Sequence, residues 1–152
     1  MNPKGLIVRR CFYVIGKLMK IIGLTGSIAT GKSTVSTAFS SLGIPVIDAD
    51  KLSREIVAPG QIGYYSIINT FGDQVLDETR QLNRAALADI IYQDSEKRKL
   101  LNEATHPYIR MEMLKAVLRY FIRGCGTVIL DTPLLFETRL NKFMNTTIVV
   151  YW

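Results

Sequence analysis

The sequence predicts an α/β fold with a mostly parallel sheet, and three observations predict it. Short apolar runs of buried-strand type recur at 21–24, 44–47, 127–131 and 146–152. Stretches of helical periodicity separate them. The first of these strands enters a glycine-rich loop that opens directly into a helix, and units of that kind build parallel sheets. With 152 residues and 48% apolar content, the chain suits one domain with a real core.

The glycine loop organises the rest. Gly26, Gly31, Lys32 and Ser33 complete the pattern G-x-x-x-x-G-K-[ST]. A polyphosphate carries several negative charges on hydrogen-bond acceptors, so its cradle must bring many backbone N–H groups close. Glycines permit that approach and the positive φ angles it needs. Lys32 supplies a point charge for the β- and γ-phosphates, and the Ser33 hydroxyl is a candidate Mg²⁺ ligand. The helix that follows adds its N-terminal dipole, with Val35, Ala38, Phe39 and Leu42 as its expected buried face and Gly43 as its stop. This is a nucleotide-phosphate site.

The net charge of +6 suggests nucleic acid only until it is located. Residues 1–20 hold Lys4, Arg9, Arg10, Lys17 and Lys20 and no acid, while the remainder carries 14 basic and 13 acidic groups. That balance argues against a nucleic-acid binder. Residues 1–18 are set apart as a basic N-terminal extension before a domain at 19–152. The extension resembles a mitochondrial presequence or a membrane-surface segment, and it also reads as upstream sequence with no folded role. Its charges interrupt the apolar runs, so a spanning helix is not expected. Cys11 and Cys125 are too few for a disulfide framework, which suits an intracellular compartment, mitochondrial or cytoplasmic.

Along the chain, the second strand carries Ile44, Val46 and Ile47 and ends at Asp48, with Asp50 two residues on. Carboxylates at the carboxyl end of such a strand face the ligand crevice of an open α/β sheet, for Mg²⁺ or as a general base. Asp48 also reads as a helix N-cap. A helix over 49–58 brings Arg54 one turn from Asp50, as an ion-pair partner or as an arginine for the acceptor pocket. Residues 61–71 read as a helix through Tyr65, Ile68 and Phe71. Asn83 and Ser95 are expected to cap two more helices. Thr105 and Pro107 have the form of a further helix start, and His106 and Arg110 fall on one face at i, i+4. Leu114, Val117, Leu118 and Phe121 give that helix its buried face. The run T-V-I-L-D ends in Asp131, the form of a Walker B strand whose carboxylate orients Mg²⁺. Glu137 follows just past the strand tip, and 146–152 reads as a last buried strand.

The motifs I-I-G-L-T-G-S-I-A-T-G-K-S, V-I-D-A-D-K-L-S-R-E-I-V-A-P-G, L-L-N-E-A-T-H-P-Y-I-R and V-I-L-D-T-P-L-L-F-E, in that order, resemble the dephospho-coenzyme A kinase family. The resemblance covers residues 19–150. It implies a P-loop NTPase three-layer sandwich with a helical CoA-binding insertion. The implied reaction is ATP-dependent phosphorylation of the ribose 3′-hydroxyl of dephospho-CoA, with Mg²⁺. It also implies that Gly26, Ser27, Ile28, Ala29, Thr30, Gly31, Lys32 and Ser33 hold the ATP phosphates. Lys32 and Asp50 become catalytic, Asp50 as base for the hydroxyl. Ser33 and Asp131 become metal ligands, and Asp48, Arg54, His106, Arg110 and Glu137 line the acceptor side.

Members of the family run on into an arginine-bearing lid and a final strand. On the strand order 2-3-1-4-5, this chain is therefore expected to leave 147–151 as an apolar edge open to self-association. Without the lid, reduced or absent turnover is expected. The alternative is a catalytically impaired truncated isoform that acts only as a nucleotide- or CoA-binding fragment. A nucleoside kinase is disfavoured by H-P-Y-I-R with D-A-D, and a GTPase by the lack of N-K-x-D.

Overall fold

The computed structural model describes residues 3–27, 30–92, 94–136 and 139–151, with side chains from residue 11 onward. The chain divides into two compact units, residues 1–50 with 112–152 and residues 51–111.

The first unit is built on a parallel four-stranded sheet of β1 (Lys20–Gly26), β2 (Val46–Asp48), β3 (Thr127–Asp131) and β4 (Thr146–Val150), in the order β2-β3-β1-β4. This is the expected arrangement of the first four strands. Ile21, Leu24, Val128, Ile129 and Leu130 are inaccessible to solvent, as the interior strands of a parallel sheet should be. Gly23 in β1 leaves room for Leu135, since a Cβ there would lie 2.8 Å from its Cδ2.

Helix α2 (Lys32–Ser41) lies beside β1 and β2. Its expected face is only half realised. Val35 and Phe39 are half-buried, but Ala38 and Leu42 are exposed, Leu42 by 75%. Leu42 is the C-cap, and Gly43 (φ 77°) turns the chain away there. The last strand is likewise not a buried one. No residue of β4 is fully buried and Val149 is 47% exposed, because β4 pairs on one side only.

The N-terminal segment forms a helix, α1 (Pro3–Leu18), rather than lying outside the fold. Phe12, Ile15 and Met19 are buried, and Phe12 meets Phe143 with ring centroids 6.2 Å apart. Asn145 fastens the helix end to the sheet. Its Oδ1 accepts from Ile21 N at 2.7 Å, and its Nδ2 donates to Gly16 O at 2.7 Å.

The second unit is helical. It holds most of α3 (Ala49–Ile56), then α4 (Ile62–Phe71), α5 (Arg84–Tyr92) and the first part of α6 (Ser95–Ile122). Its core joins Ile67, Phe71 and Val75 with Leu82, Leu87 and Ile90. In α4 Phe71 is buried, but the residues that face in with it are Tyr64 and Ile67, each one before Tyr65 and Ile68, and Tyr65 is 55% exposed. The cause is Gly63, where a Cβ would lie 2.6 Å from the Ile56 carbonyl oxygen, so that this side of the helix must face in. Asn83 caps α5 as expected, accepting from Ala86 N at 3.0 Å.

Helix α6 corrects two expectations. Its cap is Asp94, not Ser95: Asp94 Oδ1 accepts from Glu96 N at 2.9 Å and Lys97 N at 3.2 Å. Nor does a new helix start at Thr105, because α6 runs unbroken through Pro107. The Thr105 hydroxyl donates back to Leu101 O at 2.8 Å instead of capping, and Pro107 costs the helix only its own N–H bond and local strain. Farther on, Met113, Leu114 and Val117 are buried, with Leu118 and Phe121 half-buried.

Candidate active site

Strand β1 delivers the glycine loop to the carboxyl edge of the sheet. At its end, Gly26 lies against β4, where a Cβ would stand 2.6 Å from Val150 O. Across the loop, Thr30 Oγ1 donates to Ser27 O at 2.8 Å. Gly31 then takes a left-handed conformation (φ 84°) as N-cap of α2, and its carbonyl accepts from Thr34 N at 3.0 Å and Val35 N at 3.2 Å. In that geometry the N–H groups of Lys32 and Ser33 have no intrahelical acceptor, which makes the helix start an anion site. Two of the loop residues expected to hold phosphate, Ile28 and Ala29, lie outside the described residues.

The adjoining strands bring carboxylates to the same edge. Asp48 and Asp131 are register partners in β2 and β3. Lys32 Nζ donates to Asp131 Oδ1 at 2.5 Å, with the two side chains 22% and 9% exposed. A cavity of about 400 Å³ is lined by Ser27, Gly31, Lys32, Ser33, Asp48 and Asp131, together with Ser36 and Thr37. Loop, lysine and both strand-end carboxylates therefore meet in one cavity.

Ser36 and Thr37 were not singled out by the sequence. Only their place one turn beyond Ser33 could have marked them, and Thr37 Oγ1 does bond Ser33 O at 2.9 Å. Asp50 stands exposed in the first turn of α3 and is not among the lining residues. Glu137 lies outside the described residues.

Arg54, His106 and Arg110 belong to the helical unit. Arg54 is exposed in the last turn of α3, while His106 and Arg110 are half-buried, one turn apart on α6. Burial, and then the charge of Arg110, push the His106 pKa below its ordinary value. The folded chain therefore resists a proton that the unfolded chain takes up at about pH 6.5. This contribution to stability is whole above that pH and declines as acidification proceeds toward the lower folded-state value. Melting temperatures followed from pH 7.5 down to 5.5 should fall less for His106→Gln than for the wild type. Parallel curves would contradict this.

The chain matches the family model described as "Dephospho-CoA kinase" over residues 20–152. It is 52% identical over 134 residues to a "Dephospho-CoA kinase domain-containing protein" of Danio rerio, covering 88% of this chain and 58% of that protein. To a "Dephospho-CoA kinase" of Listeria monocytogenes it is 48% identical over 132 residues, covering 87% and 66%. Among solved structures, a dephospho-CoA kinase from Campylobacter jejuni superposes with a TM-score of 0.66 at 25% identity, covering 87% of this chain and 66% of that one. TT1252 from Thermus thermophilus gives 0.76 at 32% identity, covering 87% and 65%. The fold is thus that of the P-loop NTPases, and the chain spans between 58% and 66% of these two curated relatives' lengths.

Proposed function

The chain belongs to the dephospho-CoA kinase family, and from that premise we propose that it transfers the γ-phosphoryl group of ATP to the ribose 3′-hydroxyl of dephospho-CoA, yielding coenzyme A and ADP in the last step of coenzyme A biosynthesis. The observation that carries this reading is the single cavity shared by the glycine loop, Lys32, Asp48 and Asp131. Phosphoryl transfer asks chiefly for alignment and for charge neutralisation, and these groups supply both.

In this proposal the N–H groups at the start of α2 and the Lys32 ammonium bind the β- and γ-phosphates. The Asp131 carboxylate holds Lys32 at the cavity wall. Asp50 orients the acceptor hydroxyl and takes its proton, with Asp48 beside it. Recognition of the acceptor falls to Arg54, His106 and Arg110, and Glu137 joins them by family resemblance. A neutral His106 next to a cationic Arg110 offers one neutral and one charged group to a phosphate-bearing ligand.

The donors present also suit Mg²⁺. The Ser33 hydroxyl and the Asp131 carboxylate are hard oxygens, and magnesium commonly takes one or two protein ligands, completing its shell with water and phosphate oxygens. Among the described residues, no group of three or more His, Cys, Asp or Glu could hold a metal unaided, which fits a cation brought in with the nucleotide. Once bound, the ion would neutralise phosphate charge.

Incubation with ATP, Mg²⁺ and dephospho-CoA, followed by mass spectrometry of the acceptor, tests the reading. Formation of CoA, even at a low rate, is the expected result, whereas ATP bound with no CoA formed would favour the nucleotide- or CoA-binding fragment. Phosphorylation of nucleosides with dephospho-CoA untouched would overturn it in favour of another small-molecule kinase.

Two further parts of the proposal concern setting. The free thiols Cys11 and Cys125 suit an intracellular location, cytoplasmic or mitochondrial. Fractionation that recovers the protein only outside the cell would exclude it. The β4 edge, with Val149 47% and Tyr151 84% exposed, is a surface for pairing with a second copy. Sedimentation velocity should show a dimer growing with concentration, and a monomer at every concentration would dismiss this.

A further inference from the structure

Helix α1 lies outside the family match, which covers residues 20–152. It is nonetheless built into the sheet unit. Phe12, Ile15 and Met19 are 2%, 5% and 2% exposed, and Asn145 bonds the Gly16 carbonyl. A leader meant for removal would not be expected to fill the core in this way.

The opposite face is unusual for a soluble helix. Tyr13, Val14 and Leu18 are 65%, 57% and 68% exposed. With Lys17 they share one side, because positions 13, 14, 17 and 18 fall within one helical face. The Lys17 ammonium sits 4.9 Å from the Tyr13 ring centroid. Alongside runs a groove of about 180 Å³ lined by Phe12, Tyr13, Lys17, Lys142, Phe143 and Met144, with Gly16 and Asn145. It has aromatic and thioether walls, two ammonium groups and no acid. The first 20 residues carry five basic side chains and no acid.

These features fix the chemistry of the occupant. Exposed aliphatic and aromatic side chains beside lysines match the boundary between acyl chains and headgroups, and the unbalanced positive charge matches an anionic leaflet. Among the described residues no helix is long and apolar enough to cross a membrane, so contact is with the surface. We propose that α1 is a docked interfacial anchor. It rests Tyr13, Val14 and Leu18 on an anionic membrane, with a phospholipid headgroup held between Lys17 and Lys142. This inference is independent of the catalytic reading and would survive its failure.

The test is co-sedimentation of the full chain with phosphatidylcholine vesicles, with and without phosphatidylserine. Binding should require phosphatidylserine and weaken at least fivefold between about 0.1 and about 0.5 M salt, as screening demands. The charge reversals Lys17→Glu and Lys142→Glu together should lower apparent partitioning by about tenfold or more. Leu18→Ser, which keeps every charge, should also weaken it. All three positions are exposed, and the lipid and salt dependence of the wild type decides the matter even if a variant misfolds. Equal binding to both vesicles, binding to neither, or a double variant that binds like the wild type would overturn the proposal. Failure to bind, together with shortening of the chain by isolated mitochondria, would make α1 a targeting segment instead.

Discussion

Lys32→Ala should bring ATP binding below ready detection, with affinity lower by about 30-fold or more, and should also destabilise the fold. Both effects come from the loss of one ammonium group. The Lys32 ammonium is the positive charge in the cavity wall, 2.5 Å from Asp131. Losing a largely desolvated charge partner typically costs about 2–5 kcal/mol in binding, equivalent to some 30-fold to several thousandfold. The same truncation leaves the Asp131 carboxylate, 9% exposed, without its cation. An orphaned buried charge destabilises strongly. Because Lys32 itself is 22% exposed, we expect about 1–3 kcal/mol here rather than the full cost seen for enclosed pairs. The double variant Lys32→Ala/Asp131→Asn separates the two effects. Removing the stranded charge should recover most of the stability, read by urea unfolding, while calorimetry still detects no ATP binding. Unchanged ATP affinity in the single variant would show that the phosphates lie elsewhere.

Gly26→Ala should be nearly as damaging for an unrelated reason. The added methyl would stand 2.6 Å from Val150 O and 2.9 Å from Thr30 Oγ1. The first atom is backbone of the neighbouring strand, in register with Gly26, so relief requires β1 and β4 to part. The second holds the loop closed on Ser27. Overpacking of this kind costs about 1–3 kcal/mol, and the loop moves with it, so ATP affinity should fall by about tenfold or more. Gly31 is a different case. Nothing lies within 4 Å of its added Cβ, and only its φ of 84° opposes a side chain. Gly31→Ala should therefore be milder in stability, by about 1–2 kcal/mol. Equal unfolding midpoints for wild type and Gly26→Ala would contradict the contact with β4.

What the sequence made legible follows from the range of the forces involved. The strand, loop and helix at 20–41 rest on local periodicity and on a motif whose spacing is set by phosphate chemistry. The place of Asp48 and Asp131 at strand ends was likewise local. Long-range contacts were not legible. Nothing near Asn145 announces that its side chain will bond Ile21 and Gly16, more than a hundred residues away, and so fix α1 to the sheet. Gly63 reads as a weak helix residue until the Ile56 carbonyl is seen against it, and that approach turns Tyr64 and Ile67 inward in place of Tyr65 and Ile68, while Phe71 stays buried. Thr105 and Pro107 carry every mark of a helix start. A hydroxyl bonded to Leu101 O and a proline tolerated in the middle of α6 decided otherwise. Ser36 and Thr37 entered the cavity through the direction of α2, which periodicity alone does not give.

The proposed reaction is phosphoryl transfer from this cavity to an acceptor hydroxyl, with Asp50 as the base. It is tested most directly by measuring ADP release and ATP affinity side by side for the wild type and Asp50→Asn. ADP release by the wild type should depend on dephospho-CoA. In Asp50→Asn it should fall by about 10²–10⁴-fold with ATP affinity kept within about threefold, since Asp50 does not line the phosphate cavity. A soluble wild-type chain that binds ATP but releases no ADP with dephospho-CoA, or an Asp50→Asn variant that turns over normally, would contradict the proposal.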